Sequence, residues 1–180
     1  SKDGNKRESL YSQKYREDGG ALLKEFIAHV HESDYCDNII GYQIAGGGTE
    51  EWFHFDRNGS LCKNSKKYFD EYSGGIYSHL PLPDHKVFEH DGFIKDKHLQ
   101  KYLEFVSFDV ANTVAYFAKV AKECVNHSQV IGAFYGYSQI MYKALGGCIG
   151  LSQLLDCPDI DFFCSPVAYT DSRAIGIDWA

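Results

Sequence analysis

Apolar residues recur at helical spacing in the first part of the chain, after a polar lead-in. Ser12 is able to cap a helix that should end near Glu32. Its apolar positions fall on one face: Leu22, Leu23, Phe26, Ile27 and Val30. Gly19 and Gly20 weaken this helix by about 1 kcal/mol each relative to alanine, which leaves a loop as the alternative for its first turns.

A longer helix is predicted over residues 98–125. Its apolar positions follow one another at steps of three and four: Leu99, Leu103, Val106, Val110, Val114, Phe117, Ala121 and Cys124. This spacing is typical of an amphipathic helix with one face on a core.

Three apolar runs predict buried strands, over residues 39–44, 130–137 and 160–164, and a shorter helix is expected at about residues 150–155. Strands separated by helix-sized connections favour a parallel sheet with right-handed crossovers. The sequence therefore predicts an α/β fold in one domain, with the three strands parallel and adjacent in chain order.

Residues 56–97 lack a clear period and collect turn-forming residues, so they are predicted to form a long loop, of the kind that is often functional or a lid. The loop contains His79, His85 and His90. Their spacings of six and five residues match no pattern of metal ligands, so neither a metal nor another cofactor is predicted.

Candidate chemistry follows the first strand. The glycines at residues 46–48 should let the backbone turn sharply and bring Glu50 and Glu51 beside Trp52 and His54. The carboxyl ends of parallel strands are where α/β folds hold their active sites. A carboxyl group held against aromatic rings has a raised pKa and can serve as an acid, while the rings can stack on sugars. The alternative is an ordinary loop that leads into the next helix.

Composition narrows the classes of ligand. A net charge of −7 without a basic cluster argues against nucleic acid and anionic membrane surfaces, and no apolar run reaches the roughly 18 residues that span a bilayer. An aromatic content of 15% suits a neutral ligand such as a sugar. Six cysteines without paired spacing favour free thiols in a reducing compartment, hence the cytoplasm, with secretion or a periplasmic location left open.

Three motifs carry a resemblance to a known family: IIGYQIAGGGTEEWFHF, GAFYGY and LDCPDIDFFCSPVAY. Together they resemble the catalytic barrel of clan A glycoside hydrolases and are similar to bacterial family 42 β-galactosidase-like proteins. The resemblance extends to about Arg173. It implies a TIM barrel and retaining hydrolysis of a glycoside, oligosaccharide or polysaccharide, with residues 1–180 forming the middle part of a single catalytic domain.

The resemblance also implies roles for individual residues. The three predicted strands would be the fourth, fifth and sixth of the barrel, and the acid/base would be Glu51, or else Glu50. Thr49-Glu50-Glu51 stands where the clan has an Asn-Glu pair, which leaves the choice between the two glutamates open. The residues expected to contact substrate at the carboxyl ends are Gln43, Trp52, His54, Tyr135, Tyr137 and Ser165.

The nucleophile of such an enzyme follows the seventh strand, but no glutamate follows Cys164 here. Asp161, Asp171 and Asp178 do not fit its place. We therefore expect an incomplete barrel that does not hydrolyse glycosides by itself, with open sheet edges that could make it a homo-oligomer. Two alternatives stay open: a sugar-binding relative without the nucleophile, and an unrelated α/β enzyme with residues 56–97 as its lid.

Overall fold

The computed structural model describes residues 10, 12–46, 52, 65–83, 95–135 and 150–164. Among these residues it contains four α-helices, a 3-10 turn at Cys36–Asn38 and three strands. The helices and strands in chain order are α1 (Gln13–His31), β1 (Gly41–Ile44), α2 (Ser65–Tyr72), α3 (Lys97–Cys124), β2 (Val130–Phe134), α4 (Leu151–Leu155) and β3 (Phe162–Cys164).

The strands form a parallel sheet in the order β1-β2-β3, which confirms the predicted topology. Gly41 is paired with Val130, and Gly132 with Phe162. All three strands are shorter than predicted. Ile39 lies next to the 3-10 turn, and the Ile160 amide donates to the Cys157 carbonyl in a turn before β3, so neither residue extends its strand.

Helix α1 begins directly after Ser12, whose hydroxyl accepts the Tyr15 amide, so the alternative of a loop in its first turns is wrong. Gly19 and Gly20 lie inside the helix because they face α3. A Cβ at Gly20 would lie 2.8 Å from the Tyr116 hydroxyl, and one at Gly19 would lie 2.9 Å from the Phe117 ring. The close packing of the two helices offsets the low helix propensity of glycine.

Helix α3 confirms the predicted amphipathic helix. Asp96 caps its start by accepting the amides of His98 at 2.8 Å and Leu99 at 3.3 Å. Val110 and Val114 are fully buried between α1 and the sheet, and Leu154 of α4 joins the same core.

The prediction of a long loop over residues 56–97 is wrong in one part, because residues 65–72 form α2. Phe69 of α2 is fully buried against Tyr102 and Phe105 of α3, with ring centroids 5.5 and 5.6 Å apart. The helix ends at Tyr72 and is followed by a turn that contains Gly74 and Gly75, whose φ angles of 64° and 76° favour glycine. Eight residues hold too few turns to show a period, so packing on α3 stabilises this helix.

Helix α3 packs on one face of the sheet, which we call the helix face, and α1 and α4 share the hydrophobic core on that side. Residues from alternate strand positions pack there, namely Tyr42, Ile44, Ile131, Ala133 and Phe163. The intervening positions form what we call the open face: Gln43, Val130, Gly132, Phe134, Phe162 and Cys164. Gln43 is exposed there, and the ring of Phe162 lies across Gly132, since a Cβ at Gly132 would be 2.2 Å from it.

Two partly buried ion pairs tie the helices to their neighbours. Lys122 of α3 donates to the Asp161 carboxylate at 2.6 Å and to the Gln129 carbonyl at 3.0 Å. The hydrogen bond from Lys122 is the main reason that the pKa of Asp161 is lowered. Arg16 of α1 donates to the Asp109 carboxylate at 2.8 Å, yet burial of that carboxyl raises its pKa from 3.8 to about 6.

A first prediction concerns Gly41, where β1 approaches β2 most closely. An added Cβ would lie 2.1 Å from the Val130 carbonyl oxygen, a backbone atom that the sheet holds in place. Gly41→Ala should lower the free energy of unfolding by about 2–3 kcal/mol, measured by urea titration. Gln43→Ala on the same strand is the control and should change it by less than about 0.5 kcal/mol. Equal effects of the two substitutions would contradict this account of the strand contact.

A second prediction follows from the opposite pKa shifts of the two carboxyl groups. Because the folded pKa of Asp109 is raised, its contribution to stability is present below about pH 4 and is lost as the pH rises through 6. Relative to Asp109→Asn, the wild type should lose up to about 3 kcal/mol between pH 4 and 7.

Asp161 provides the matched control, since its pKa is lowered. Its contribution is present above pH 4 and is lost as the pH falls, so the wild type should lose stability relative to Asp161→Asn in acid. Urea titrations at a series of pH values measure both differences. If the free energies of unfolding of the wild type and Asp109→Asn changed in parallel with pH, the raised pKa of Asp109 would be ruled out.

Candidate functional site

The carboxyl ends of the three strands lie at one edge of the sheet, because the strands are parallel and adjacent. β1 ends at Ile44, β2 at Phe134 and β3 at Cys164. The Tyr135 amide donates to the Cys164 carbonyl at 3.0 Å, which keeps the last two ends level with each other. The sequence that follows each of these ends therefore starts from a common edge.

Trp52 returns to the end of β1. Its indole N–H donates to the Ile44 carbonyl at 3.2 Å, and its ring stacks on Phe117 of α3 with centroids 5.4 Å apart. Gly46 leaves room for the ring, because a Cβ there would lie 2.5 Å from it. Gly46 thus provides space for Trp52. The ring is only 2% exposed and belongs to the core of the helix face.

Tyr135 is the second predicted site residue in this core. Its hydroxyl accepts the Gly150 amide at 3.0 Å, just before α4 begins. A Cβ at Gly150 would lie 2.8 Å from the Ser107 carbonyl, so the start of α4 packs closely against both α3 and Tyr135. Tyr135 therefore links the end of β2 to the next helix.

The structure places Gln43 apart from Trp52 and Tyr135. Gln43 lies on the open face of β1, an outer strand of the described sheet, beside Gly132 of β2. The two aromatic residues lie in the core on the helix face. A ligand on the open face could contact Gln43, whereas both rings are reached only through the core.

The other predicted site residues lie outside the described residues, and their roles stay predictions. They are Glu50, Glu51, His54, Tyr137 and Ser165. His85 and His90 also fall outside, while His79 is exposed. Within the described ranges no group of three histidine, cysteine, aspartate or glutamate residues could hold a metal ion.

Asp109 and Asp161, the two carboxyl groups whose pKa values are shifted, do not lie at the carboxyl ends of strands. Asp161 precedes β3 and bonds to Lys122 and to the Ile131 amide at 2.7 Å, which ties together the amino ends of β2 and β3. Asp109 lies between two helices and pairs with Arg16. Both carboxyl groups therefore contribute to the packing of the fold.

Sequence reasoning missed the residues that hold Trp52 and Tyr135 in place, namely Phe117, Gly46 and Gly150. Phe117 was assigned only to the apolar face of a helix. Lys122, a charged residue on the same helix, was the feature of the sequence that could have indicated the ion pair with Asp161 at the amino ends of β2 and β3.

Four of the cysteines lie in the described ranges, Cys36, Cys124, Cys157 and Cys164, and all four are free, half-buried thiols. Among the helices that the structure describes, none combines the length and the apolar character needed to cross a lipid bilayer.

Comparison of the chain with protein-family models, with curated proteins and with solved structures gives no match in any of the three. The family expected from the sequence motifs therefore stays a prediction, and the functional argument depends on the geometry of the sheet and the residues at its edge.

Proposed function

We propose that this chain forms part of the catalytic barrel of a retaining, β-galactosidase-like glycoside hydrolase, with Glu51 as its acid/base. The motifs 39–55, 132–137 and 155–169 suggest the family. The direction in which the sheet is wound supports the barrel, and the contacts of Trp52 support the position of the acid.

The winding of the sheet is the observation that carries the proposal. Three consecutive strands are neighbours in chain order, α3 packs on β1 and β2, and α1 and α4 pack on α3 within the same hydrophobic core. A doubly wound sheet reverses its strand order and places helices on both faces, whereas a (β/α)8 barrel continues in one direction with all its helices outside. The described strands run in one direction without a reversal, as a segment of a barrel does and as one half of a doubly wound sheet also does, and the sequence motifs favour the barrel.

The open face suits the interior of such a barrel. Phe162, which is 38% exposed, and Val130, which is 42% exposed, are large apolar residues that a closed barrel would bury. The interior of a barrel is filled by layers of side chains from alternate strand positions, as Gln43 and Phe162 alternate here with residues of the core.

The proposed reaction begins with protonation of the leaving-group oxygen by Glu51. A second carboxylate, about 5.5 Å away in retaining enzymes, attacks the anomeric carbon and forms a glycosyl intermediate. Glu51, now ionised, then takes a proton from water, which hydrolyses that intermediate. Since no glutamate follows Cys164 within these 180 residues, the proposal assigns the chain the acid/base half of this site.

A third prediction tests the role of Glu51 in the protein expressed from its full reading frame. Glu51→Gln should lower kcat on alkyl glycosides by about 10²–10⁴-fold, because their leaving groups need a proton. The loss on activated aryl glycosides should be much smaller, and added azide should restore part of it by attacking the glycosyl intermediate without a base.

Two variants serve as controls for this measurement. Glu50→Gln decides which of the adjacent glutamates has the role, and Glu25→Gln, at an exposed position on α1, should leave both activities unchanged. Equal losses on the two substrate types, without an effect of azide, would remove Glu51 from the role. Sugar binding without any turnover in the wild type would instead favour a non-catalytic relative.

A further inference from the structure

The surroundings of Trp52 determine what its ring can do. The ring stacks on Phe117 at an interplanar angle of 30° and meets Gly46, where a Cβ would lie 2.5–2.7 Å from three of its atoms. With 2% of the residue exposed, the indole leaves no accessible face for a sugar. A role in substrate stacking, which the sequence predicted, would require the ring to leave the core.

The indole N–H has a structural use as well. It donates to the carbonyl of Ile44, the last residue of β1, and so fixes residue 52 at the point where the strand ends. Phe117 belongs to α3, which packs against β1 and β2. The indole is therefore held by the strand, by the helix behind it and by Gly46.

This anchoring bears on Glu51, because a peptide bond joins the two residues and keeps their Cα atoms about 3.8 Å apart. Catalytic groups must be held closely, since a displacement of about 1 Å can lower a rate about 10²-fold. The anchoring of residue 52 therefore bears on the proposed acid/base through the peptide bond that joins the two residues.

We infer that Trp52 is a positioning residue that holds Glu51 at the carboxyl end of β1 and does not bind the sugar itself. This inference rests on the proposed function. An aromatic residue beside a catalytic acid could either stack on the substrate or hold the acid in position. The contacts of the indole favour the second role.

The fourth prediction concerns Trp52→Phe, which keeps an aromatic ring on Phe117 but removes the N–H to Ile44. In the full-length protein this change should lower kcat on alkyl glycosides by about tenfold or more, with KM changed less than about twofold. Activated aryl glycosides, which need little protonation, should lose less. Phe117→Leu removes the stacking partner on α3. It should likewise lower kcat more on alkyl glycosides than on activated aryl glycosides.

A matched control separates positioning from general destabilisation. Val110→Ala opens a cavity in the same core, on another turn of α3, and should lower Tm without changing the ratio of the two kcat values. A raised KM for both substrates in Trp52→Phe, with normal kcat and with Phe117→Leu unaffected, would identify Trp52 as a sugar platform and overturn the inference.

Glu51→Gln in the same assay distinguishes the two proposals. If that variant is impaired as expected and Trp52→Phe shows only the rise in KM, the inference alone fails. If the wild type is inactive or Glu51→Gln is harmless, the proposed function fails, and the role of Trp52 toward Glu51 fails with it.

Fluorescence tests the burial of the indole without relying on activity. These 180 residues contain two tryptophans, so Trp179→Phe, combined with replacement by phenylalanine of any tryptophan elsewhere in the reading frame, leaves Trp52 as the single emitter. Acrylamide should quench its emission weakly, and saturating galactose should not change that quenching. Strong quenching that galactose suppresses would show an accessible ring and overturn the inference whatever the enzymatic result.

Discussion

Burial of one face of α3 is the interaction on which the rest of this structure depends. The helix has 28 residues and packs against α1, α2, α4, β1 and β2. Fully burying a valine such as Val110 or Val114 contributes roughly 1.5–3 kcal/mol, and several such residues share the face. Because α3 lies in the connection between β1 and β2 and packs on both strands, it holds them as parallel neighbours.

Different kinds of contact hold the amino ends and the carboxyl ends of the strands. At the amino ends, the ion pair of Lys122 and Asp161 and the backbone of Ile131 form a polar tie. At the carboxyl ends, Trp52 and Tyr135 pack closely against glycines, and their side chains form neutral hydrogen bonds with the Ile44 carbonyl and the Gly150 amide. The polar contacts thus lie at the amino ends of the strands and the aromatic contacts at their carboxyl ends.

The two faces of the sheet have equally distinct roles. Helix α3 packs on the helix face, while Gln43 and Phe162 keep solvent contact on the open face. Successive side chains of a strand point to opposite faces of the sheet, so Gln43 lies on the open face while its neighbour Ile44 is buried on the helix face.

The sequence by itself determined α1, α3, the three strands and their parallel order, because helical and strand periods are local and long connections require crossovers. It could not predict α2, which depends on the packing of Phe69 against rings more than thirty positions away. Nor could it show that Gly19 and Gly20 adjoin α3, or that Trp52 packs on Phe117 while Gln43 faces away from both. These features arise where distant segments meet, and a change of one residue in strand register would reverse which side chains enter the core, so only the tertiary structure decided them.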